Sequence, residues 1–192
     1  MQKFQMKFQK TVIIGSIILA SVMVLYALGF STNIFSLSYH ADPVSVLFYV
    51  PGAELYLAAQ PFNRLLFNDT VILFVLCLTM FFTLTHRRRL YYISNYVTSF
   101  AFGAYCVYLA QLLWDRTQHY KALYGEVDFA RLEAVKNMMR MDYSESTFML
   151  DAGMVLSVVL VVMAGFLVVN LVLKTVWMKN EKWLVTAEVK HV

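Results

Sequence analysis

Residues 152–178 read AGMVLSVVLVVMAGFLVVNLVLKTVWM, a stretch with a single charged side chain, Lys174. A helix needs about 20 largely apolar residues to cross the hydrocarbon core of a bilayer. This stretch exceeds that length and is apolar on every side, whereas a surface helix of a soluble protein keeps one polar face. It therefore predicts a membrane-spanning helix and decides the fold class of the chain.

Three further stretches have the same character: residues 11–30, 67–85 and 91–114. The first and third contain no charged side chain, and the second contains only Asp69. Of the 192 residues, 60% are hydrophobic and 15% are charged, against about 25% charged in a typical soluble domain. We therefore predict an all-α integral membrane protein, with residues 1–192 forming one four-transmembrane-helix bundle. This composition excludes an ordinary soluble domain and a disulfide-stapled secreted module.

Basic residues set the predicted orientation, because loops on the cytoplasmic side of a membrane are enriched in Lys and Arg. Ten Lys and Arg and two acids fall on the side that would hold both termini and the 86–89 turn. Six Lys and Arg and ten acids fall on the other side. Both termini are therefore predicted to face the cytoplasm of a bacterial cell, with an organellar membrane as the alternative. The net charge of +4 reflects this asymmetry, so no nucleic-acid partner is expected.

The first span also permits a different interpretation. A basic start, an apolar run and the sequence Ala27-Leu28-Gly29 resemble a cleaved signal peptide. Cleavage would remove one of the four spans, and a mature N-terminus near Ser31 would reveal it.

Two long segments, residues 31–66 and 115–151, are predicted to form an extracytoplasmic cap. Loops of this length rarely lack structure of their own, so we expect a mostly helical cap. Residues 53–66 predict a short amphipathic helix that is interrupted or kinked at Pro61. A second cap helix is expected after Asp128, a plausible N-cap. Its apolar residues recur three and four positions apart on one face: Phe129, Leu132, Val135, Met138 and Met139. That face could pack within the cap, lie on the bilayer surface or bind a partner helix.

Neutral polar and small side chains in the spans are candidate contacts for a partner helix or a cavity, because such residues hold membrane helices together. The candidates in the spans are Asn95, Ser99, Gly103, Gln111 and Asn170, and those on the cap helix are Phe129, Leu132, Val135 and Met139. Lys174 is expected to snorkel to the cytoplasmic interface, and Asp69 to lie at the outer boundary. With no acid or histidine expected near the bilayer centre, a proton-coupled transporter loses support.

The turn between the second and third spans carries Arg87, Arg88 and Arg89, which are candidate contacts for lipid headgroups. The alternative interpretation is the positive-inside pattern alone. Two cysteines, Cys77 and Cys106, lie within spans. Their distances from the turn imply depths that differ by roughly 10 Å. A disulfide needs Cα atoms within about 7 Å, so free thiols are predicted.

Motifs for catalysis, metal binding or nucleotide binding are absent from the sequence, including His-Glu-x-x-His, Cys-x-x-Cys, Gly-x-Ser-x-Gly and Gly-x-x-x-x-Gly-Lys. The four-span shape is shared with claudins, tetraspanins and the vitamin K reductases, but their cysteine motifs are also absent. We therefore expect a non-catalytic accessory or scaffold subunit of a larger membrane complex, such as a transporter, with no cofactor. Its expected partners are other integral membrane subunits and membrane lipids, and homo-oligomers are an option.

Two other function classes stay open at this level. One is a small oligomeric transporter or channel lined by Asn95, Gln111 and Asn170. The other is an enzyme that acts on lipid at the outer face. Its candidate residues are the acids and histidines of the two long segments: His40, Asp42, Glu54, His119, Glu126 and Asp128.

Overall fold

The computed structural model describes residues 2–34, 54–85, 92–131, 133–134 and 145–189. Within these ranges the chain is helical and contains no β-strand. The four long helices are α1 (Gln2–Ile34), α2 (Glu54–Thr85), α3 (Tyr92–Gly125) and α4 (Phe148–Val189). The shortest has 32 residues, which exceeds the roughly 20 residues that a membrane crossing requires.

Each long helix contains a stretch that is apolar enough to span a membrane. These stretches are Phe4–Phe30, Pro61–Leu84, Ile93–Gly125 and Phe148–Val176. They coincide with the four predicted spans and extend beyond four of the eight predicted ends. The prediction of four membrane-spanning helices is confirmed in length and composition, and the chain has the architecture of a multi-pass membrane protein.

The helices form an up-and-down bundle in which each helix packs on two neighbours, in the ring order α1, α2, α3, α4. Near the start of α1, Gln9 donates a 3.5 Å hydrogen bond to the carbonyl of Leu84 near the end of α2. Near the end of α1, Tyr26 donates a 2.9 Å bond to the carbonyl of Met149 at the start of α4. Both termini therefore lie at one end of the bundle. We call this the terminal end, and the opposite end the loop end.

An apolar girdle surrounds the bundle on the outside. It consists of exposed large side chains from all four helices, including Ile14, Ile18, Val22 and Leu25 of α1, Val71, Ile72 and Val75 of α2, Val97, Phe100 and Val107 of α3, and Val155, Val158, Val162 and Val169 of α4. Exposed charges flank the girdle: Lys7 and Lys10 at the terminal end, and Arg64, Asp115 and Arg116 at the loop end. This distribution is the one expected of a helix bundle whose outer surface faces lipid.

The second helix differs from the prediction. Residues 54–66 do not form a separate cap helix but belong to α2, which runs without interruption through Pro61. A proline inside a helix costs roughly 3 kcal/mol. Packing offsets this cost, because the Phe62 ring lies 5.8 Å from Phe30 of α1 and 5.3 Å from Tyr120 of α3.

The third helix also continues where a loop was expected. The prediction ended the span at Trp114, where charged residues begin, but α3 runs on to Gly125. Thr117, Tyr120 and Tyr124 are buried on its inner face, so packing continues beyond the girdle. Among the described residues, extensions of α2 and α3 contribute to the cap, each reaching about 16 Å past the girdle at 1.5 Å per residue.

The second predicted cap helix begins where expected. Asp128 Oδ1 accepts a 3.0 Å hydrogen bond from the backbone N–H of Arg131, which is the geometry of an N-cap. Helical residues follow from Phe129, within the part of this segment that the structure describes.

Candidate functional site

The span residues predicted to line a cavity or to bind a partner do not form one site. Asn95, Ser99 and Asn170 are 4%, 1% and 0% exposed and lie on the inner faces of α3 and α4. Gly103 is half-buried, and a Cβ atom there would lie 3.6 Å from a side chain of α4. Gln111 is exposed on the outside of the bundle. The set therefore divides into an interior group and an outward-facing residue.

Lys174 lies in the interior with Asn95, Ser99 and Asn170. We call Asn95, Ser99, Asn170 and Lys174 the terminal-end polar cluster. Asn95 and Ser99 are four residues apart on α3, and Asn170 and Lys174 are four residues apart on α4. Side chains at this spacing lie above one another on one helix face. All four are at most 4% exposed, so polar side chains enter the buried interior near the terminal end.

Contacts between α3 and α4 bring the two halves of this cluster to the same depth. On the terminal side, the Tyr96 hydroxyl and Thr175 Oγ1 share a 2.8 Å hydrogen bond. On the inner side, Gly103 faces Leu167. Between these two contacts lie Ser99 on α3 and Asn170 and Lys174 on α4. Asn95 lies one residue before the first contact on α3.

Lys174 does not snorkel to the surface as predicted. It is 4% exposed, and its ammonium nitrogen lies 5.5 Å from the centre of the Tyr96 ring. Its position on the inner face of α4 directs the side chain into the bundle, where a cation–π contact stabilises the charge. The sequence analysis considered only its distance from the end of the span. The four-residue spacing from Asn170 was the available indication that it faces inward.

Four polar atoms of the cluster have no hydrogen-bond partner within the described part of the chain: Asn95 Oδ1, Ser99 Oγ, and Asn170 Nδ2 and Oδ1. A buried amide or hydroxyl without a partner costs roughly 1–3 kcal/mol in proteins, and such groups are normally satisfied by protein or ordered water. The set contains both hydrogen-bond donors and acceptors. The cluster therefore presents both kinds of hydrogen-bonding atom to the interior of the bundle.

A buried acid occupies the loop-end half of the bundle. Asp69 is 6% exposed, and its Oδ1 accepts a 2.8 Å hydrogen bond from the Tyr105 hydroxyl. Its Oδ2 has no partner among the described residues. The sequence analysis placed Asp69 at the boundary and expected a partner for Tyr105, but it did not join the two. Ionisable groups inside a membrane bundle are costly and mark functional positions by default.

An apolar layer separates these two polar regions. Leu73, Phe102, Leu109 and Leu160 each have 0% exposure there. Cys77 and Cys106 lie in the same layer as buried free thiols.

The two cysteines are closer in depth than the sequence analysis inferred. The Thr83–Thr98 hydrogen bond (2.9 Å) joins α2 to α3. Cys77 lies six residues from Thr83 on α2, and Cys106 lies eight residues from Thr98 on α3. A difference of two residues is about 3 Å along a helix. The predicted 10 Å assumed that α2 and α3 end level with each other.

A groove runs along the outside of the bundle between α3 and α4, and we call it the α3–α4 groove. Its lining comprises Val107, Ala110, Gln111 and Trp114 of α3 and Ser157, Val158 and Val161 of α4. Ser157 Oγ donates a 2.6 Å bond to the Met154 carbonyl within its own helix. Gln111 therefore contributes an exposed side-chain amide to a groove whose lining is otherwise mainly apolar.

Aromatic rings pack on one another among the described residues of the cap. Tyr26 packs on Phe30 with ring centres 5.8 Å apart, and the stack continues through Phe62 to Tyr120. Phe129, predicted as a partner contact, packs on Tyr124 at 5.2 Å. Its contact is thus made within the cap. The remaining cap-helix candidates, Leu132, Val135 and Met139, lie outside the described residues, as do Arg87, Arg88 and Arg89.

The candidate residues for an enzyme are dispersed where the structure describes them. His119 is exposed beside the Tyr120 ring, Glu126 is exposed, and Asp128 caps a helix. His40 and Asp42 lie outside the described residues. Across the described ranges, no three His, Cys, Asp or Glu side chains are grouped so that they could hold a metal ion.

Comparison with known protein families, curated proteins and solved structures found no match for this chain.

Proposed function

We propose that the protein is a non-catalytic accessory or scaffold subunit of a larger membrane complex. It binds an integral membrane partner through the α3–α4 groove, and its cap adds further contact surface. The exposed amide of Gln111 carries this proposal. In hydrocarbon an amide loses its hydrogen bonds to water, and a polar side chain on a partner helix would restore them.

The shape of the groove suits a single helix. Its floor is made by small residues, Ala110 and Ser157, each 3% exposed. Small residues let helix backbones approach closely in a membrane. Its walls include Val107 and Val158, which are 48% and 53% exposed. Trp114 lies at the loop-end limit of the groove, where an indole suits the membrane interface.

We further infer the orientation from charge. The excess of Lys and Arg at the terminal end supports a cytoplasmic location for both termini and an extracytoplasmic location for the cap. A bacterial cell membrane is the proposed location.

Photo-crosslinking in native membranes tests the proposed partner. Benzoylphenylalanine would replace Gln111 and, as a matched control, Ile18, which is 58% exposed at a similar depth on α1. We expect an adduct with a second membrane protein from position 111 and none from position 18. Failure of position 111 to crosslink would contradict the proposal. An adduct of twice the chain mass would show that the partner is a second copy of this chain.

Substitution provides a second test. Gln111→Leu keeps the apolar fit but removes a polar contact that is worth about 1–2 kcal/mol in membrane peptides. Recovery of the partner in mild detergent should then fall about 5- to 30-fold. Ile18→Leu should leave recovery unchanged. Equal recovery of the partner with Gln111→Leu would contradict a role for the amide.

The alternative function, a small oligomeric transporter or channel, is favoured by the terminal-end polar cluster. Asn95 and Asn170 face the interior while Gln111 faces outward, so one copy does not bring all three to one path. Flux into liposomes that contain only this protein would support the alternative, and its absence would remove it.

A further inference from the structure

We infer that a groove between α1 and α2, at the loop end of the girdle, binds the headgroup of one anionic phospholipid of the phosphatidylglycerol type. We call it the α1–α2 groove. In the ring order of the helices it lies on the opposite side of the bundle from the α3–α4 groove. The inference is therefore independent of the proposed partner.

The α1–α2 groove lies at the depth of lipid headgroups. It has a volume of about 370 Å³ and is lined by Ala27 and Leu28 of α1 and by Asn63, Arg64, Phe67 and Asn68 of α2. Asn63 and Phe67 are four residues apart, as are Arg64 and Asn68, so these side chains share one face of α2. Arg64 is one of the exposed charges that flank the girdle at the loop end.

The polar side chains of the groove are available to a ligand. Asn63, Arg64 and Asn68 form no hydrogen bond or ion pair in the described part of the chain. The guanidinium of Arg64 presents its N–H donors in a planar fork that matches two oxygens of a phosphate. The two amides both donate and accept hydrogen bonds, as do the hydroxyl groups of a glycerol headgroup. Together they match a phosphate that carries a hydroxylated headgroup.

The charges around the groove favour an anionic lipid over a zwitterionic one. None of the six lining residues is acidic, and α1 contains no Asp or Glu. On α2, Asp69 is buried and accepts the hydrogen bond of Tyr105, and Glu54 is ten residues, or about 15 Å, from Arg64. The described acids of α3 and α4 belong to helices that do not line the groove. A headgroup ammonium would thus meet Arg64 without a carboxylate in the lining.

Apolar side chains extend from the headgroup position toward the terminal end. Leu28 and Phe67 line the groove, and both are exposed. About one turn further along, Leu25 of α1 and Val71 of α2 are exposed as well. A phospholipid can therefore place its phosphate at Arg64 while its acyl chains lie along α1 and α2, which supports a lipid as the source of the phosphate.

Native mass spectrometry of the full chain in mild detergent tests the site. Phosphatidylglycerol and phosphatidylcholine with identical acyl chains would be titrated, and the apparent Kd of the first bound lipid would be measured for each. Arg64→Gln removes the proposed phosphate contact. Arg116→Gln is the matched control, because Arg116 is also exposed at the loop end of the girdle but lies on α3.

We expect the unsubstituted chain to bind phosphatidylglycerol more tightly than phosphatidylcholine. Arg64→Gln should weaken phosphatidylglycerol binding about tenfold, the order expected for loss of a hydrogen bond to a charged group, and Arg116→Gln should not. Equal affinity for the two lipids would overturn the inference, and a carboxylate of the same chain at Arg64 would give that result. Equal weakening by the two arginine substitutions would also overturn it.

A second comparison tests the role of the amides. Phosphatidylmethanol keeps the negative phosphate but has no hydroxyl group on its headgroup. Asn68→Leu should weaken the binding of phosphatidylglycerol and leave that of phosphatidylmethanol unchanged. An equal effect on both lipids, or an effect on neither, would contradict recognition of the glycerol headgroup.

Lipid crosslinking on the unsubstituted chain covers variants that fail to fold. A phosphatidylglycerol analogue with a diazirine on its headgroup would be irradiated with the protein, and the adducts would be mapped by peptide mass spectrometry. We expect adducts at residues that line the groove, with competition by excess phosphatidylglycerol and little by phosphatidylcholine. Adducts only at other positions, or equal competition by the two lipids, would contradict the inference.

Discussion

At the scale of single residues, the direction in which a side chain points decides its role in this bundle. Asp69 and Lys174 both lie close to an end of an apolar stretch, where ionisable residues ordinarily reach the interface. The structure buries both because each lies on the inner stripe of its helix. The sequence identified the polar positions in the spans, but their pairing across helices, such as Tyr105 with Asp69, required the packing of α2 against α3.

Tyr105→Phe should destabilise the bundle, because it removes the hydrogen bond to Asp69 Oδ1 and leaves a second buried oxygen without a partner. The expected loss in the free energy of unfolding is about 1–2 kcal/mol. This lies between the typical contribution of a hydrogen bond between membrane helices and that of a hydrogen bond to a charged group. The thermal midpoint in detergent measures it.

Tyr108→Phe is the matched control, since Tyr108 is 47% exposed and its ring packs beside Tyr105. A loss in Tyr108→Phe as large as in Tyr105→Phe would contradict a specific role for the Asp69 contact.

Gly153 marks a close approach of three helices. A Cβ atom there would overlap the Tyr26 hydroxyl of α1 and lie 3.0 Å from Thr117 Oγ1 of α3. Gly153→Ala should therefore displace the Tyr26–Met149 hydrogen bond and destabilise the protein by about 1–3 kcal/mol.

Gly165→Ala supplies the comparison for that change, because no atom lies within 4 Å of the added methyl group. It should be neutral or stabilising by up to about 1 kcal/mol, the helix propensity gain of Ala over Gly. Equal midpoints for the two alanine variants would refute the close approach at Gly153.

At the scale of helices, charged residues mark the end of the membrane-spanning part of a helix but not the end of the helix itself. The four spans were predictable because a long apolar stretch has few structures open to it other than a membrane-spanning helix. The sequence did not show that α2 and α3 continue into the cap, because their inner faces there mix aromatic, polar and small residues. Thr117 and Tyr120 are buried beside exposed Asp115 and Arg116. This alternation of buried and exposed residues continues the helix. Hydropathy alone ended the predicted span before it, at Trp114.

Pro61→Ala should stabilise the protein, since it restores a backbone donor inside α2, about two turns from its start. The gain has an upper limit of about 3 kcal/mol, the cost of proline in a helix interior. Arg64→Ala, at an exposed position one turn along, should change stability by less than about 0.5 kcal/mol. A lower midpoint in Pro61→Ala would mean that the proline shapes the packing of Phe62.

At the scale of the whole molecule, the bundle places opposite charge at its two ends. Four consecutive membrane crossings necessarily alternate in direction, so the sequence alone predicted this part of the architecture. Asn95, Ser99, Gln111 and Asn170 were predicted as candidate contacts. Their division between the polar cluster and the α3–α4 groove was not predicted, since it depends on which faces of α3 and α4 meet.

Labelling from one side of the membrane tests the orientation. In a background that carries Cys77→Ala and Cys106→Ala, His119→Cys lies on the exposed surface of the α3 extension and Lys10→Cys at the terminal end. An impermeant maleimide should label position 119 in intact cells and position 10 only after permeabilisation, as the distribution of Lys and Arg requires. The reverse result would invert the molecule in the membrane.

The continuity of α3 has a mechanical consequence. Its 34 residues form a rod about 50 Å long at 1.5 Å per residue, with Ser99 near one end and the Tyr120 ring near the other. Between the cap and the spans this rod has no loop that could absorb a displacement. A tilt imposed on the extension of α3 beyond the girdle therefore acts directly on the membrane-spanning part of the same helix.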